Sequence, residues 1–159
     1  MSNQGKAATL DQAQHKTMLE YLSSSRHSKR NTAIYLLTYR AGLRIGTVAG
    51  LRLDDVIDSS GKLNQVVNLH SSIVKGGKNY AAYINHPELQ KAIEDYVSIR
   101  PKRKGVDALF VSQKGRGFTA NGLSHLMLKV YGSAGFDSAS SHSGRRSFAT
   151  NVLRSGVDK

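Results

Sequence analysis

The chain has 159 residues, 39% of them hydrophobic and 21% charged, the profile of one folded domain with a real core and not of a disordered segment. Lys and Arg number 23 against 11 acids, a formal net charge of +12 that points to a polyanionic partner, nucleic acid above all. The absence of cysteine excludes disulfides, thiolate metal sites and a cysteine nucleophile. No apolar run approaches the roughly 20 residues that span a membrane, and no apolar signal stretch follows Met1, so a cytoplasmic setting is expected.

In chain order, residues 1–8 read as a loose tail. Thr9, Leu10, Asp11 and Gln12 resemble a capping box, with Gln three residues after Thr, opening a helix with Leu10, Ala13, Met18, Leu19 and Leu22 on its apolar side. Ser23 to Arg30 is a polar, basic connector. Asn31 is expected to cap a second helix that buries Ile34, Leu37 and Ala41 and ends at Gly42. A short third helix over Ile45 to Leu51 leaves Arg44 at the junction. Asp54 to Asp58 then lead into a turn at Ser59, Ser60 and Gly61.

Leu63–Leu69 and Tyr80–Asn85 are strand-like, rich in Val, Ile and Tyr, and Lys75-Gly76-Gly77-Lys78 between them has the glycine pair of a tight reversal. Pro87 suits the first turn of a helix running to about Ile99, before Pro101 stops it. Ala108–Val111 is a short strand candidate, and Gly115-Arg116-Gly117 a basic loop. A helix from Thr119 to Ala134 turns Leu123, Leu126, Met127 and Val130 inward. Serines 138 and 140–141 precede a final helix of about Ser143 to Ser155. The expected fold is α+β, mostly helical, with one small antiparallel sheet and no linker between Thr9 and Lys159.

Three basic sites carry the candidate chemistry: Arg44, Lys75 in its turn, and the pair His142 and Arg145. The last two stand three residues apart at a helix start, a spacing that lets both converge on one small target. Arginine's planar, permanently charged fork matches a phosphate. Singly, each site is weak and reads more readily as a solvated or carbonyl-capping surface charge, and composition cannot bring them together.

The flanking residues do. Leu36-Leu37-Thr38-Tyr39-Arg40-Ala41-Gly42-Leu43-Arg44, Leu51-Arg52-Leu53-Asp54-Asp55-Val56, Gly117-Phe118-Thr119-Ala120-Asn121, Ala134-Gly135 and His142-Ser143-Gly144-Arg145-Arg146-Ser147-Phe148-Ala149-Thr150 occur in the order found in tyrosine recombinases. From Thr9 to Lys159 the chain resembles the catalytic domain of that phage-integrase family.

The resemblance implies phosphoryl transfer on double-stranded DNA without metal or cofactor. A tyrosine hydroxyl attacks a backbone phosphate, forms a 3′-phosphotyrosyl link and releases a 5′-hydroxyl; another 5′-hydroxyl reverses the step. Arg44 and Arg145 would clamp the non-bridging oxygens as their charge grows. Lys75, with Lys78 as runner-up, would protonate the departing 5′-oxygen. His142 would hydrogen-bond the phosphate or handle the nucleophile's proton. Self-association, or pairing with other recombinase subunits on DNA, is implied as well.

The chain also departs from the pattern. Thr47 stands where the family usually has an acid three residues after the first arginine, Gly144 where Leu is common, and Arg146 where His is common. None of the seven tyrosines follows Arg145, and the match supports none of them as nucleophile. The family's preceding arm domain has no counterpart in this sequence. Two readings follow: a recombinase catalytic domain whose tyrosine segment is missing here, or a non-catalytic DNA-binding truncation that competes at recombination sites. Tyrosine donated by another protomer is a further route, and a type IB topoisomerase fits the flanking motifs less well. Alone, the chain is expected to bind DNA and leave it uncut.

Overall fold

The computed structural model describes residues 8–69 and 80–155. Helix α1 (Gln12–Ser24) starts at Asp11, whose side chain accepts from the Gln14 amide at 2.8 Å, while the Gln14 side chain accepts from the Asp11 amide at 2.9 Å. The capping box therefore sits two residues later than Thr9 suggests. A carboxylate also meets the positive end of the helix dipole, which a hydroxyl cannot do as well. Leu10, Met18 and Leu22 are buried and Leu19 packs against the core, but Ala13 is exposed and His15 takes a place on the inner face.

Helix α2 (Ser28–Ala41) begins three residues ahead of the expected cap, Asn31. His27, in the left-handed region (φ 59°, ψ 37°), makes the reversal from α1 without a capping side chain. Asn31 lies buried inside the helix, its Oδ1 accepting from Arg30 Nε at 3.0 Å. The supposed connector is thus mostly helix, with residues 25–27 joining the two. From Ala33 to Tyr39 every residue of α2 is buried, as befits a helix surrounded on all sides. It packs against α1, against α5 (Pro87–Ile99) and against α7 (Ser143–Ser155). Gly42 (φ 71°) closes it as expected, donating to the carbonyls of Leu37 and Thr38.

Helix α3 (Ile45–Gly50) packs on α6 (Ala120–Ser133), and a single turn, α4 (Leu53–Val56), follows α3. Strands β1 (Val66–Leu69) and β2 (Tyr80–Tyr83) pair antiparallel, with Val66 opposite Tyr83 and Leu69 opposite Tyr80. Val67 and Leu69 face the core. Both strands are shorter than the sequence suggests: Leu63 makes only an isolated bridge with Ile57. The expected Lys75–Lys78 turn lies outside the described residues.

Pro87 opens α5 as expected, and Thr119, read as the first residue of α6, instead caps it through the Gly122 amide. Leu123, Met127 and Val130 of α6 are buried, and Leu126 is half-buried against the same core. Ala108–Val111 does not form a strand; it touches its neighbours through isolated bridges, Arg52 with Ala108 and Val111 with Gly117. The buried guanidinium of Arg100 is the reason. It donates to Ala108 O at 2.6 Å and to Leu109 O at 2.9 Å, carbonyls that a ladder would otherwise use. One buried cluster runs from Leu10 to Ala139, so the described residues share a single core. The fold is mostly helical with one small antiparallel sheet, and among the described residues no helix is long and apolar enough to cross a membrane.

Candidate functional site

The serine cluster before α7 builds the start of that helix. Ser140 N donates to Ser143 Oγ at 3.0 Å, Ser143 N to Ser140 O at 2.9 Å, and Ser141 Oγ hydrogen-bonds Ser124 Oγ of α6 at 3.0 Å. His142 stands exposed in the turn immediately before α7, and its carbonyl accepts from Arg146 N at 3.0 Å. Ser147 Oγ donates to Ser143 O and accepts from Leu10 N at 2.8 Å, fixing the incoming chain to α7.

Arg145, half-buried, reaches across to the end of α2, where Nη1 donates to Gly42 O at 2.6 Å. The last carbonyls of a helix have no partner within it, and Arg145 supplies one. Arg44 stands two residues beyond Gly42, exposed, in the extended junction (φ −71°, ψ 151°) between α2 and α3. The structure thus brings the C-terminal end of α2, with Arg44, to the N-terminal end of α7, with His142 and Arg145. Lys75 and its runner-up Lys78 lie outside the described residues. Among the described residues neither Arg44 nor Arg145 forms an ion pair with a carboxylate.

Two glycines let the helices come so close. A Cβ on Gly144 would fall on Thr38 Oγ1 and lie 2.7 Å from Thr38 Cβ and 3.2 Å from its backbone carbon. At Gly42 a Cβ would run into the ring of Phe148 from α7. Sequence reasoning noted Gly144 only as a departure from Leu; a glycine within a helix was the available signal for this contact. It missed Gly42's carbonyl, because a backbone acceptor leaves no mark in the sequence. Thr47, three residues after Arg44, is 2% exposed on α3.

The tyrosines are placed otherwise. Tyr35, Tyr39, Tyr96 and Tyr131 are buried. Burial pushes the hydroxyls of Tyr35, Tyr96 and Tyr131 above their ordinary range, away from the anionic form. Among the described residues no cluster of three or more His, Cys, Asp or Glu could hold a metal ion.

Known proteins share this architecture. Tyrosine recombinase XerD of Neisseria meningitidis serogroup B is 32% identical over 136 residues, which cover 83% of this chain and 44% of that protein. XerD of Rickettsia bellii is 30% identical over 155 residues, covering 90% and 50%. The crystal structure of XerA recombinase matches with a TM-score of 0.76 at 28% identity, over 94% of this chain and 50% of that one. XerH site-specific recombinase bound to a palindromic difH substrate matches in fold, with a TM-score of 0.71 at 21% identity over 97% of this chain and 44% of that one. The chain spans 44% to 50% of the length of these curated relatives. The model of the phage integrase family matches residues 8–159, and on that match the chain belongs to the phage integrase family, the tyrosine recombinases.

Proposed function

We propose that this chain supplies the phosphate-binding part of a site-specific DNA strand-exchange reaction, binding duplex DNA over the junction of α2 and α7. The observation that carries the reading is the Arg145–Gly42 hydrogen bond, which holds one arginine of the motif beside the segment that bears the other. Preorganised guanidinium forks stabilise charge that develops on non-bridging phosphate oxygens at no cost in reorganisation when the reaction occurs. The exposed ring of His142, next to Arg145 in the same helix start, is free to meet a phosphate oxygen or a proton in transit. Lys75 protonates the leaving 5′-oxygen in this scheme, with Lys78 as the second candidate.

The nucleophilic tyrosine is none of the seven in this sequence. Four of them are in the core, with at most 2% of their surface exposed. Strand exchange joins two duplex ends, so the scheme calls for further recombinase subunits on the DNA.

The test has two measurements on the chain itself. Duplex DNA affinity should fall steeply with salt, since each phosphate neutralised contributes about 0.9 to the logarithmic slope. A substrate nicked beside the scissile phosphate should trap no covalent adduct. Weak, salt-independent binding would overturn the phosphate reading, and a trapped phosphotyrosyl adduct would overturn the placement of the nucleophile.

A further inference from the structure

We infer that the cavity at the N-terminal end of α2 is a second anion site, which takes the phosphate group of an organic phosphate such as a nucleotide unit. It is independent of the recombinase reading. The 14 residues of α2 set its ends about 21 Å apart, with Gly42 and Arg145 at one end and this cavity at the other.

The cavity measures about 370 Å³, and its walls include His27, Lys29, Arg30 and Arg103 with no carboxylate among them. That volume lies at the lower end of the range for small-molecule sites, about 300–1,000 Å³. Arg30 is 7% exposed. Its Nε donates to Asn31 Oδ1 at 3.0 Å, its Nη1 reaches Val111 O at 3.5 Å, and the ring of Phe118 lies 5.2 Å from its guanidinium carbon. None of these neutralises its charge, and a buried cation without a counter-ion is costly. A bound anion relieves that cost.

Other groups point the same way. Arg103 lies against Gly115 (φ 82°), where a Cβ would come within 2.7 Å of the guanidinium Nε, so the glycine leaves room for this cation at the wall. With the Gln113 amide turned so that its oxygen faces Arg26, that oxygen accepts from Arg26 Nη2 at 2.6 Å, which sets a further guanidinium beside a wall residue of the cavity. The first amides of α2 carry no capping side chain and face the cavity end of the helix. Burial holds the His27 imidazole below its ordinary value, and the charges of Arg30 and Arg26 add to this. Arginine forks and helix amides suit a phosphate's several oxygens. Ile99, 55% exposed, and Pro101 add an apolar wall for the body that carries it.

Amide NMR titrations of the whole chain test this with adenosine monophosphate, inorganic phosphate, a short single-stranded oligonucleotide and a glutamate peptide. Adenosine monophosphate should give saturable shifts centred on Ser28, Lys29, Gln113 and Gly115, and should raise the His27 pKa. Replacing two exposed cations together, Lys29→Gln with Arg103→Gln, should weaken this binding about tenfold or more. The pair Arg44→Ala with Arg145→Ala should leave it unchanged, so failure of this site and failure of the DNA site are separable. Equal or tighter binding of the oligonucleotide would assign the phosphate to a nucleic-acid chain; preference for the mononucleotide would assign it to a free ligand. Either supports the site. Absence of local shifts at millimolar nucleotide, equal response to inorganic phosphate, or a response to the glutamate peptide alone would overturn it.

Discussion

Arg145 and Gly42, 103 residues apart in sequence, are joined by a 2.6 Å hydrogen bond from guanidinium to carbonyl. Arg145 therefore serves the fold as well as the proposed phosphate clamp, whereas Arg44 is exposed and its proposed role is binding alone. The two alanine variants should separate. Arg145→Ala should lower stability by about 1 kcal/mol and flatten the salt slope of DNA binding by about 0.9. Arg44→Ala should flatten the slope to a similar extent with stability unchanged. Urea unfolding beside salt-dependent binding reads both, and equal losses of stability would refute the division.

Gly144 sets the spacing of α2 and α7. Gly144→Ala should destabilise the chain by about 1–3 kcal/mol, since the added Cβ meets both the Thr38 side chain and its backbone. Thr38→Ala should rescue only part of this, because the Thr38 Cβ, 2.7 Å away, would remain. DNA binding should weaken too although both arginines are intact, because moving α7 takes Arg145 from Gly42. Full thermal rescue in the double variant would show that the hydroxyl alone made the contact.

Arg100 offers a test of the segment that fails to become a strand. Its guanidinium, on a residue 8% exposed, donates to the carbonyls of Pro101, Val106, Ala108 and Leu109. Arg100→Met keeps much of the volume but leaves several of these carbonyls without a partner. A loss of about 3 kcal/mol is expected, with faster amide exchange at 106–111 than elsewhere. Unchanged exchange there would place the role of Arg100 in packing alone.

Much of this was legible in the sequence wherever one residue decides a local event. Gly42, Pro87 and Thr119 mark helix ends through their own chemistry, and the final helix runs from Ser143 to Ser155 as read. His27 was hidden, because a non-glycine residue at positive φ has no sequence signal and tertiary packing holds it there. Ala108–Val111 misled for a similar reason: its apolar pattern is that of a strand, but a side chain eight residues away takes its carbonyls. In the site, Arg44, His142 and Arg145 stood out through their flanking motifs. What joins them is a backbone oxygen and a close approach of two helices, and both depend on the fold being complete.

Acid should weaken the fold through His15. Its ring is 6% exposed and stacks on Tyr39 at 3.9 Å; Nδ1 lies 2.6 Å from Tyr35 OH and Nε2 2.9 Å from Glu88 Oε1. These partners suit a neutral ring that donates from Nε2 to the carboxylate and accepts from the phenol. Burial holds its pKa below the ordinary 6.5, aided by Arg40 and His86 and opposed by Glu88. The unfolded chain takes up the proton first as pH falls through 6.5, so the stability His15 contributes is present above that pH and lost below it. His27 and His86, also lowered chiefly by burial, add to the loss with the same sign. Glu88 acts in a separate window. Burial disfavours its charge, but hydrogen bonds from Arg40 and His15 outweigh that and hold it below its ordinary 4.5, so its contribution goes only in stronger acid. The urea midpoint should therefore fall between about pH 7.5 and pH 5.5, and fall again below about pH 4.5. His15→Gln keeps a donor for Glu88 and an acceptor for Tyr35 without titrating, and should shrink the first fall while leaving the second. An unchanged first fall in that variant would move the acid sensitivity to His27 and His86.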